Sequence, residues 1–239
     1  MLKVSPTLTD VEYPDSDGEP MAETDTHRIQ MTDALIYPLK ERYRHRPDVY
    51  VSGNLFLYYE EGNPKSVIAP DVFVVFGVPD QLRRIYKLWE EKKAPDIVFE
   101  LTSRKTYQED LSKKRLLYEE LGVREYFLFD PLREYLRPPL QGFRLVDDYY
   151  VPVMPEQLDG GEWQTNSEVL GLILQTEGPN LRLYDLEQER YLPMPAEEAQ
   201  IRRQAEARAA EEAEARRAAE AEIERLRALL AQQNQTIDD

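Results

Sequence analysis

The sequence contains no cysteine and only two histidines, His27 and His45. Disulfide bonds and thiolate zinc sites are therefore excluded, and any metal site would have to be built mainly from oxygen ligands. Such ligands favour magnesium, manganese or calcium. Long apolar runs are also lacking, and the first residues show no basic region followed by an apolar stretch. We therefore expect a soluble, cytoplasmic protein that does not associate with membranes.

Positive charge is scarce as well, because 30 lysines and arginines stand against 46 acidic residues, for a formal net charge of −16. This balance opposes non-specific binding of nucleic acid, in which lysine and arginine displace counterions from phosphates. Part of the excess lies at the ends, since residues 1–26 carry a net charge of −6 and residues 197–239 one of −4. The part between them is still acidic, so any basic surface must be local.

The composition predicts three segments. Residues 1–28 are polar, acidic and without hydrophobic periodicity, which predicts a disordered lead-in. Residues 29–195 have the mixture typical of one compact domain. Residues 196–239 are rich in Ala, Glu, Arg and Gln, which predicts a long helix, either solvated and fraying or weakly paired in a coiled coil. A heptad frame for such a coiled coil would use Ala219, Ile223, Leu226 and Leu230.

Short apolar runs alternate with turn residues in the middle segment. Thr32 and Asp33 are predicted to cap a helix that ends near Arg44. Residues 79–93 are interpreted as a short helical or irregular insertion, and the glycine-punctuated residues 135–191 as a β-meander that extends or flanks the main sheet. Strands are also predicted at residues 47–53, 55–59 and 66–78, the last two as a hairpin.

Residues 94–131 are the centre of the predicted domain and are expected to form a strand, a helix and a second strand. Ile97, Phe99 and Leu101 follow the two-residue period of a β-strand. Glu100 therefore lies mid-strand between apolar neighbours, where its carboxylate loses much of its hydration. Because an unpaired buried charge is costly, we expect a cation or several hydrogen-bond donors opposite it.

The helix that follows offers that cation. Asp110, Lys114 and Tyr118 are spaced four residues apart, so they share one stripe beside an apolar one. Gly122 stands where a glycine commonly ends a helix, and the residues after it resume as a short buried strand. This order folds the stretch back on itself and predicts that Lys114 lies over the strand that holds Glu100.

Three Pro-Asp pairs supply further acids, and their expected positions relative to Glu100 distinguish them as candidate metal ligands. Asp96 precedes Glu100 by four residues on one strand, so at about 3.3 Å per residue the two lie roughly 13 Å apart and cannot share one metal ion. Asp71 begins a different strand, and its carboxylate approaches that of Glu100 if the two strands are neighbours, about 4.8 Å apart. Asp48 heads a strand that is better explained as a sheet edge, so it is the weaker candidate.

Several motifs in chain order resemble a known family. They are Pro70-Asp71, Phe99–Ser103, Asp110 with Lys114 and Tyr118, Gly122–Tyr126 and Asp130-Pro131. Over roughly residues 30–192 they resemble the Uma-type putative restriction endonuclease family of the PD-(D/E)XK nuclease superfamily. The resemblance implies a restriction-endonuclease-like mixed β-sheet flanked by helices, which with the predicted β-meander and C-terminal helix gives an α/β (α+β) fold. It also implies cleavage of phosphodiester bonds in DNA.

The resemblance assigns roles to particular residues. Asp71 and Glu100 would hold Mg²⁺ or Mn²⁺, with the backbone carbonyl of Leu101 as a further ligand. Ser103 would orient these ligands from a second layer.

The sequence departs from the family pattern at the catalytic lysine. The usual lysine two positions after the acidic residue is replaced by Thr102. The resemblance suggests that its function moves to Lys114, with Lys113 and Lys105 as fallbacks. Lys114 would then hold or help deprotonate the attacking water.

The same residues also have structural interpretations. A strand glutamate that faces a helix lysine is more often a structural ion pair, although the ordered motifs favour the nuclease. Asp110 is interpreted as a helix N-terminal acid, and Tyr118 and Tyr126 as core aromatics. The two histidines receive no role.

Two other functions remain open. A catalytically inactive relative would act as a protein-interaction module and form homo-oligomers through the sheet or the C-terminal helix, whereas a hydrolase of a smaller phosphodiester would tolerate the acidic charge better. A local basic groove would instead support DNA binding. Its candidate residues are Arg83, Arg84, Lys87, Lys92, Lys93, Arg104, Lys105, Lys113, Lys114 and Arg115.

Overall fold

The computed structural model of the protein describes residues 11–16, 18 and 24–237, with the side chains of the final helix described as far as residue 227. The chain divides into two compact units, Met1–Met194 and Pro195–Asp239. The strands of the described chain all lie in the first unit, and a single helix makes up the second.

The described helices and strands have the following bounds. The helices of the first unit are α1 (Asp25–Ile29), α2 (Tyr37–Tyr43), α3 (Leu88–Glu91), α4 (Tyr107–Glu109) and α5 (Arg115–Glu120), with π-helical segments Gln30–Ile36 between α1 and α2 and Asp110–Lys114 between α4 and α5. The strands are β1 (Val49–Ser52), β2 (Leu57–Tyr58), β3 (Val67–Ile68), β4 (Val72–Phe76), β5 (Tyr86–Lys87), β6 (Ile97–Leu101), β7 (Glu125–Phe129), β8 (Leu140–Val146), β9 (Tyr149–Val153), β10 (Glu156–Gln157), β11 (Trp163–Ser167), β12 (Leu172–Glu177), β13 (Asn180–Asp185) and β14 (Arg190–Tyr191). The second unit is α6 (Pro195–Ile237).

The main sheet of the described chain has six strands in the order β1-β4-β6-β7-β8-β9. β6 and β7 are parallel, whereas the other neighbouring pairs of this sheet are antiparallel. Parallel neighbours need a crossover, which α4, the π-helical segment and α5 supply between the end of β6 and the start of β7. The predicted strand, helix and strand over residues 94–131 is confirmed.

Both faces of the central strands are buried, which explains their nearly continuous apolar sequence. Ile97, Phe99 and Leu101 pack into one hydrophobic core, and Val98 packs into a second core on the opposite face. Helical residues, among them Leu35, and the strands β12 and β13 cover the first core. Tyr118 of α5 and the small sheet β3-β2-β5 cover the second. Glu100 shares the face of Val98, so it points toward the second core.

The sequence left open whether the predicted β-meander extends the main sheet or flanks it, and the structure shows that it does both. β8 and β9 extend the main sheet, while β10 to β14 form a separate antiparallel sheet in simple sequence order. The Gln30 side chain joins this second sheet to the first helix, because its amide donates to the Leu181 carbonyl and its oxygen accepts from the Leu181 amide. The predicted mixed sheet with flanking helices and a long C-terminal helix is confirmed.

The first helix begins earlier than the sequence predicted. Thr24 caps α1 by accepting a hydrogen bond from the His27 amide. The predicted cap at Thr32 and Asp33 is wrong, since both residues lie inside the π-helical segment and the Thr32 hydroxyl donates to the Arg28 carbonyl. Residues 25–28 are helical, so the predicted lead-in ends too late. Residues 25–28 are polar, so they show no apolar periodicity from which this helix could be predicted.

Residues 11–16, which we call the N-terminal strap, also lie within the predicted lead-in and are ordered against the first unit. The Tyr13 ring packs against Tyr58 and Trp89 with ring centroids 5.0 and 5.1 Å apart. The Tyr58 hydroxyl donates to the Pro14 carbonyl at 2.6 Å. The strap is therefore held by aromatic contacts that a composition argument cannot detect. The prediction of disorder for residues 1–10, 17 and 19–23 falls outside the described residues.

The second unit, α6, is highly charged, and its described side chains from residue 200 to residue 227 are exposed. Pairing of this helix in a coiled coil stays a prediction. No helix in the described part of the chain is long and apolar enough to span a membrane.

Candidate active site

Glu100 is the centre of the site and is only 1% exposed. Its Oε2 accepts a hydrogen bond from Lys114 Nζ at 2.8 Å, and its Oε1 accepts one from the Tyr118 hydroxyl at 2.7 Å. The cation and the hydrogen-bond donor that burial of Glu100 requires are therefore these two helix side chains. Tyr118 is a core aromatic, as predicted, but its hydroxyl points at the carboxylate.

Lys114 touches a second carboxylate as well. Its Nζ lies 2.9 Å from Asp110 Oδ1, and both Asp110 and Glu100 have side chains that are 1% exposed. Asp110 lies in the first turn of the π-helical segment, as interpreted, and its carboxylate also contacts the lysine of the site. The Tyr126 hydroxyl fixes the same turn by donating to the Asp110 carbonyl at 3.0 Å.

Asp71 reaches the site from the neighbouring strand. β4 and β6 pair with Val72 opposite Phe99, and continuing this register by one residue puts Asp71 across from Glu100. The Oδ2 of Asp71 accepts from the Leu101 amide at 2.7 Å, which anchors the carboxylate at the end of β6. The structure therefore brings together the three side chains that the sequence singled out, Asp71, Glu100 and Lys114.

The backbone of Asp71 is held in place by Gly53. A Cβ atom at Gly53 would lie 2.1 Å from the Asp71 carbonyl oxygen, much closer than any real side chain permits. The adjacent Asn54 amide donates to the Pro70 carbonyl at 2.9 Å. Glycine is required here because the chain after β1 passes directly against the backbone that carries the acid.

The electrostatics of the site follow from three buried or half-buried acids around one ammonium. Burial raises the pKa of Glu100 well above its ordinary value; Lys114 opposes this shift, and the charges of Asp71 and Asp110 add to it. Burial also raises the pKa of Asp110, against the attraction of Lys114. For Lys114 itself, burial lowers the pKa, but the pull of Glu100 and Asp110 outweighs it and the net shift is upward. Lys114 therefore stays charged at neutral pH, whereas the raised pKa values make Glu100 and Asp110 easier to protonate than free carboxyl groups.

A pocket of about 450 Å³ opens beside these residues. Its wall includes Asp71, the loop 102–106 that follows β6, and the side chains of Leu132 and Tyr135. Glu100 and Lys114 do not line this pocket, which borders the site at Asp71 and Thr102.

His27 also lies on the pocket, although sequence reasoning gave it no role. Its Nε2 is 3.4 Å from Asp71 Oδ1, and Thr24 and Thr26 of the same helical start line the pocket with it. The signal for His27 was weak, because it stands in an acidic segment without apolar periodicity. Only the contact of α1 with Asp71, just before β4 begins, reveals it.

The remaining predicted site residues have different surroundings. Thr102 is 5% exposed, and in the described structure its hydroxyl makes no hydrogen bond. The Ser103 hydroxyl lies 3.2 Å from Thr106 Oγ1, so its described contact is within its own loop rather than with a ligand carboxylate. The Leu101 amide, not its carbonyl, is the group that contacts Asp71. The fallback Lys113 is exposed, and Lys105 lines the pocket.

Other acids in the first unit have partners that explain them structurally. Asp96 lies at the opposite end of β6, where it accepts from the Phe76 amide, and Asp48 is paired with Arg46 on the surface. Glu125 is buried but is bound by Arg144 and by the Ser167 hydroxyl. These acids are separate from the cluster at Glu100.

The family of the protein follows from a comparison with family models. The model of Uma2, described as "Putative restriction endonuclease", matches residues 2–177. The chain belongs to this family. The Uma2 match begins inside the acidic lead-in, which the sequence resemblance had left out, and ends with β12. Membership of Uma2 supports a nuclease function.

The comparisons with solved structures and with curated proteins add less to the family assignment than the family model does. A crystal structure of a putative nuclease belonging to DUF820 from Anabaena variabilis is similar, with 15% sequence identity and a TM-score of 0.40. The similarity covers 56% of this chain and 69% of that chain. No curated protein matches the chain.

Proposed function

We propose that this Uma2 protein is a metal-dependent endonuclease that hydrolyses phosphodiester bonds in DNA. In this proposal Asp71 and Glu100 hold the metal ion and Lys114 assists the attacking water. The observation that carries it is the meeting of these side chains from two strands and a helix beside an open pocket.

The donor set suits a hard divalent cation. Asp71 and Glu100 offer carboxylate oxygens, and the charge of a bound cation would oppose the burial that raises the pKa of Glu100. Among the described residues, no group of three or more His, Cys, Asp or Glu side chains could hold a metal ion. Two carboxylates, the Leu101 carbonyl and several waters would complete the ligand shell, which suits Mg²⁺ because it keeps much of its water; Mn²⁺ is the alternative.

A bound Mg²⁺ would lower the pKa of an attached water and polarise the phosphate. The residues of the chain would supply orientation and charge. Because Lys114 stays protonated, it would act as a hydrogen-bond donor that positions the water and stabilises the developing negative charge, rather than as a base. Tyr118 would keep the Glu100 carboxylate in one orientation by its hydrogen bond.

The test is cleavage of supercoiled plasmid DNA by the purified protein with Mg²⁺. Glu100→Gln and Asp71→Asn should each abolish cleavage while circular dichroism shows an intact fold. Asp96→Asn is the matched control, because Asp96 is a buried acid at the other end of the same strand. A second readout is thermal stabilisation by Mn²⁺, which should be present in the native protein and lost in Asp71→Asn. Cleavage by Glu100→Gln at the native rate would contradict the assignment.

A specific observation favours a second candidate, the catalytically inactive protein-interaction module. Both oxygens of Glu100 already accept hydrogen bonds inside the protein, and Thr102 stands where the family has its lysine. Absence of cleavage together with absence of Mn²⁺ stabilisation would support this candidate. Cleavage of only a small phosphodiester would support the third candidate, a hydrolase of smaller substrates.

A further inference from the structure

The pocket beside Asp71 has features that the hydrolysis of a phosphodiester bond does not require. It is concave, its volume of about 450 Å³ falls in the range of ligand pockets, and its wall combines an aromatic ring with exposed cations. These features indicate whether the pocket takes single-stranded or duplex nucleic acid.

Tyr135 provides an aromatic surface in the pocket wall. Its ring is stacked on Tyr107, with centroids 5.4 Å apart and planes inclined by 23°. Leu132, which is 56% exposed, lies on the same wall. Tyr107 therefore supports one face of the Tyr135 ring, and Tyr135 lines the pocket.

Arg104 and Lys105 add positive charge to the same wall. Both are exposed, and no carboxylate in the described part of the chain lies within ion-pair distance of either. Arg104 is close enough to Tyr135 for its charge to lower the pKa of that phenol, against the larger effect of Glu134. In a protein with a net charge of −16, two unpaired cations beside an aromatic ring indicate an anionic, planar ligand.

Thr102 supplies an independent observation. Its side chain is 95% buried, lines this pocket, and bears a hydroxyl without a hydrogen-bond partner among the described residues. A buried polar group without a partner is costly, so a ligand that offers a donor or acceptor at this point would relieve the cost.

We propose that this pocket takes an unstacked nucleotide of single-stranded DNA, with its base against Tyr135 and its phosphate toward Arg104 and Lys105. A base in a continuous duplex has both faces covered by its neighbours and cannot reach the ring, whereas a base in a single strand can. This inference rests on the proposed nuclease function and adds the substrate form: the enzyme acts on single-stranded DNA or on unpaired segments.

The test is fluorescence anisotropy with the Glu100→Gln variant, which binds without cleaving. The probes are a fluorescein-labelled oligothymidylate about 12 nucleotides long and a duplex of the same length. We expect the single strand to bind at least about tenfold more tightly than the duplex. Adding Tyr135→Ala should weaken single-strand binding about tenfold, in the range measured for stacking on aromatic side chains, and Tyr135→Phe should retain it.

Matched controls separate the pocket from the general surface. Tyr149→Ala removes a tyrosine that is 72% exposed and outside the pocket, and it should leave binding unchanged. Arg104→Gln should reduce the dependence of binding on salt, by about 0.7 in slope for each phosphate that the protein no longer neutralises, whereas the exposed Lys65→Gln should not.

The outcomes distinguish this inference from the function on which it rests. Duplex binding equal to single-strand binding, or no loss with Tyr135→Ala, would overturn the inference even if plasmid cleavage is seen. Tighter binding of an oligouridylate than of the oligothymidylate would overturn the choice of DNA. Tyr135-dependent binding of the single strand without any Mg²⁺-dependent cleavage would support the pocket and overturn the nuclease function.

Discussion

Lys114 Nζ lies 2.8 Å from Glu100 Oε2, although the two residues belong to a helix and a strand. The lysine reaches the acid from above the sheet, because the crossover folds back over the end of β6. A lysine two positions after Glu100 would approach from the strand itself, where Thr102 stands instead. The helix therefore delivers a charge that the strand does not.

Replacing Lys114 by methionine should destabilise the protein strongly. The variant leaves Glu100 and Asp110 buried without their cation, and breaking a buried pair in this way costs about 3–5 kcal/mol. Protonation of the acids would recover part of that cost. Urea denaturation at neutral pH measures the change. Lys113→Met is the control, because Lys113 is exposed and its loss should change the free energy of unfolding by about 0.5 kcal/mol or less. Equal effects of the two substitutions would refute the prediction.

Stability should depend on pH through Glu100. Its pKa is raised in the folded state by burial first and then by neighbouring acids, above an ordinary value of 4.5. Above pH 4.5 and up to that raised pKa, the folded state binds more protons than the unfolded state, so the free energy of unfolding falls as pH increases. Glu100→Gln removes this dependence, and its stability relative to the native protein should increase over the same range.

Lys114 does not obscure this measurement. Its raised pKa contributes stability that is complete below its ordinary value of 10.5 and is lost only at more alkaline pH. Urea denaturation at a series of pH values from about 4.5 to about 8 therefore isolates the acids. Parallel curves for Glu100→Gln and the native protein would show that the prediction is wrong.

Gly53→Ala should impair cleavage by displacing Asp71. The new methyl group would meet the Asp71 carbonyl oxygen at 2.1 Å, so the backbone must shift, at a cost of about 1–3 kcal/mol for overpacking. We expect cleavage of plasmid DNA and stabilisation by Mn²⁺ both to decrease. Gly142→Ala is the control, because its methyl group would meet Phe127 at 2.6 Å, in another part of the fold. A similar loss of stability in both variants, with loss of cleavage in Gly53→Ala alone, is the expected result.

The sequence predicted the central part of the fold because its signals are local. The alternation around Glu100, the four-residue spacing up to Tyr118 and the glycine after the helix lie within one stretch of chain. These signals predict where the strand and the helix begin and end and which side chains share a face. The approach of Lys114 to Glu100 could therefore be predicted from them. The same reasoning placed Asp96 away from the site.

The remaining features depend on contacts between distant segments. His27 meets Asp71 only because α1 lies against the start of β4, and nothing near His27 in the sequence indicates this. The π-helical turn from Asp110 to Lys114 has no sequence signature, yet it shapes the helix that carries the lysine. Separation of the meander into a sheet of its own likewise depends on the packing of β13 against the π-helical segment Gln30–Ile36 rather than on strand pattern.

The N-terminal strap has a practical consequence for anyone who shortens the protein. A fragment that starts at residue 29, as composition would advise, would lack Tyr13, the Thr24 cap and His27 together. The Tyr58 hydroxyl would have no acceptor on Pro14, and the Trp89 ring would face water. Loss of activity in such a fragment would reflect a damaged scaffold and an altered pocket entrance, and would carry no information about the catalytic competence of the intact protein.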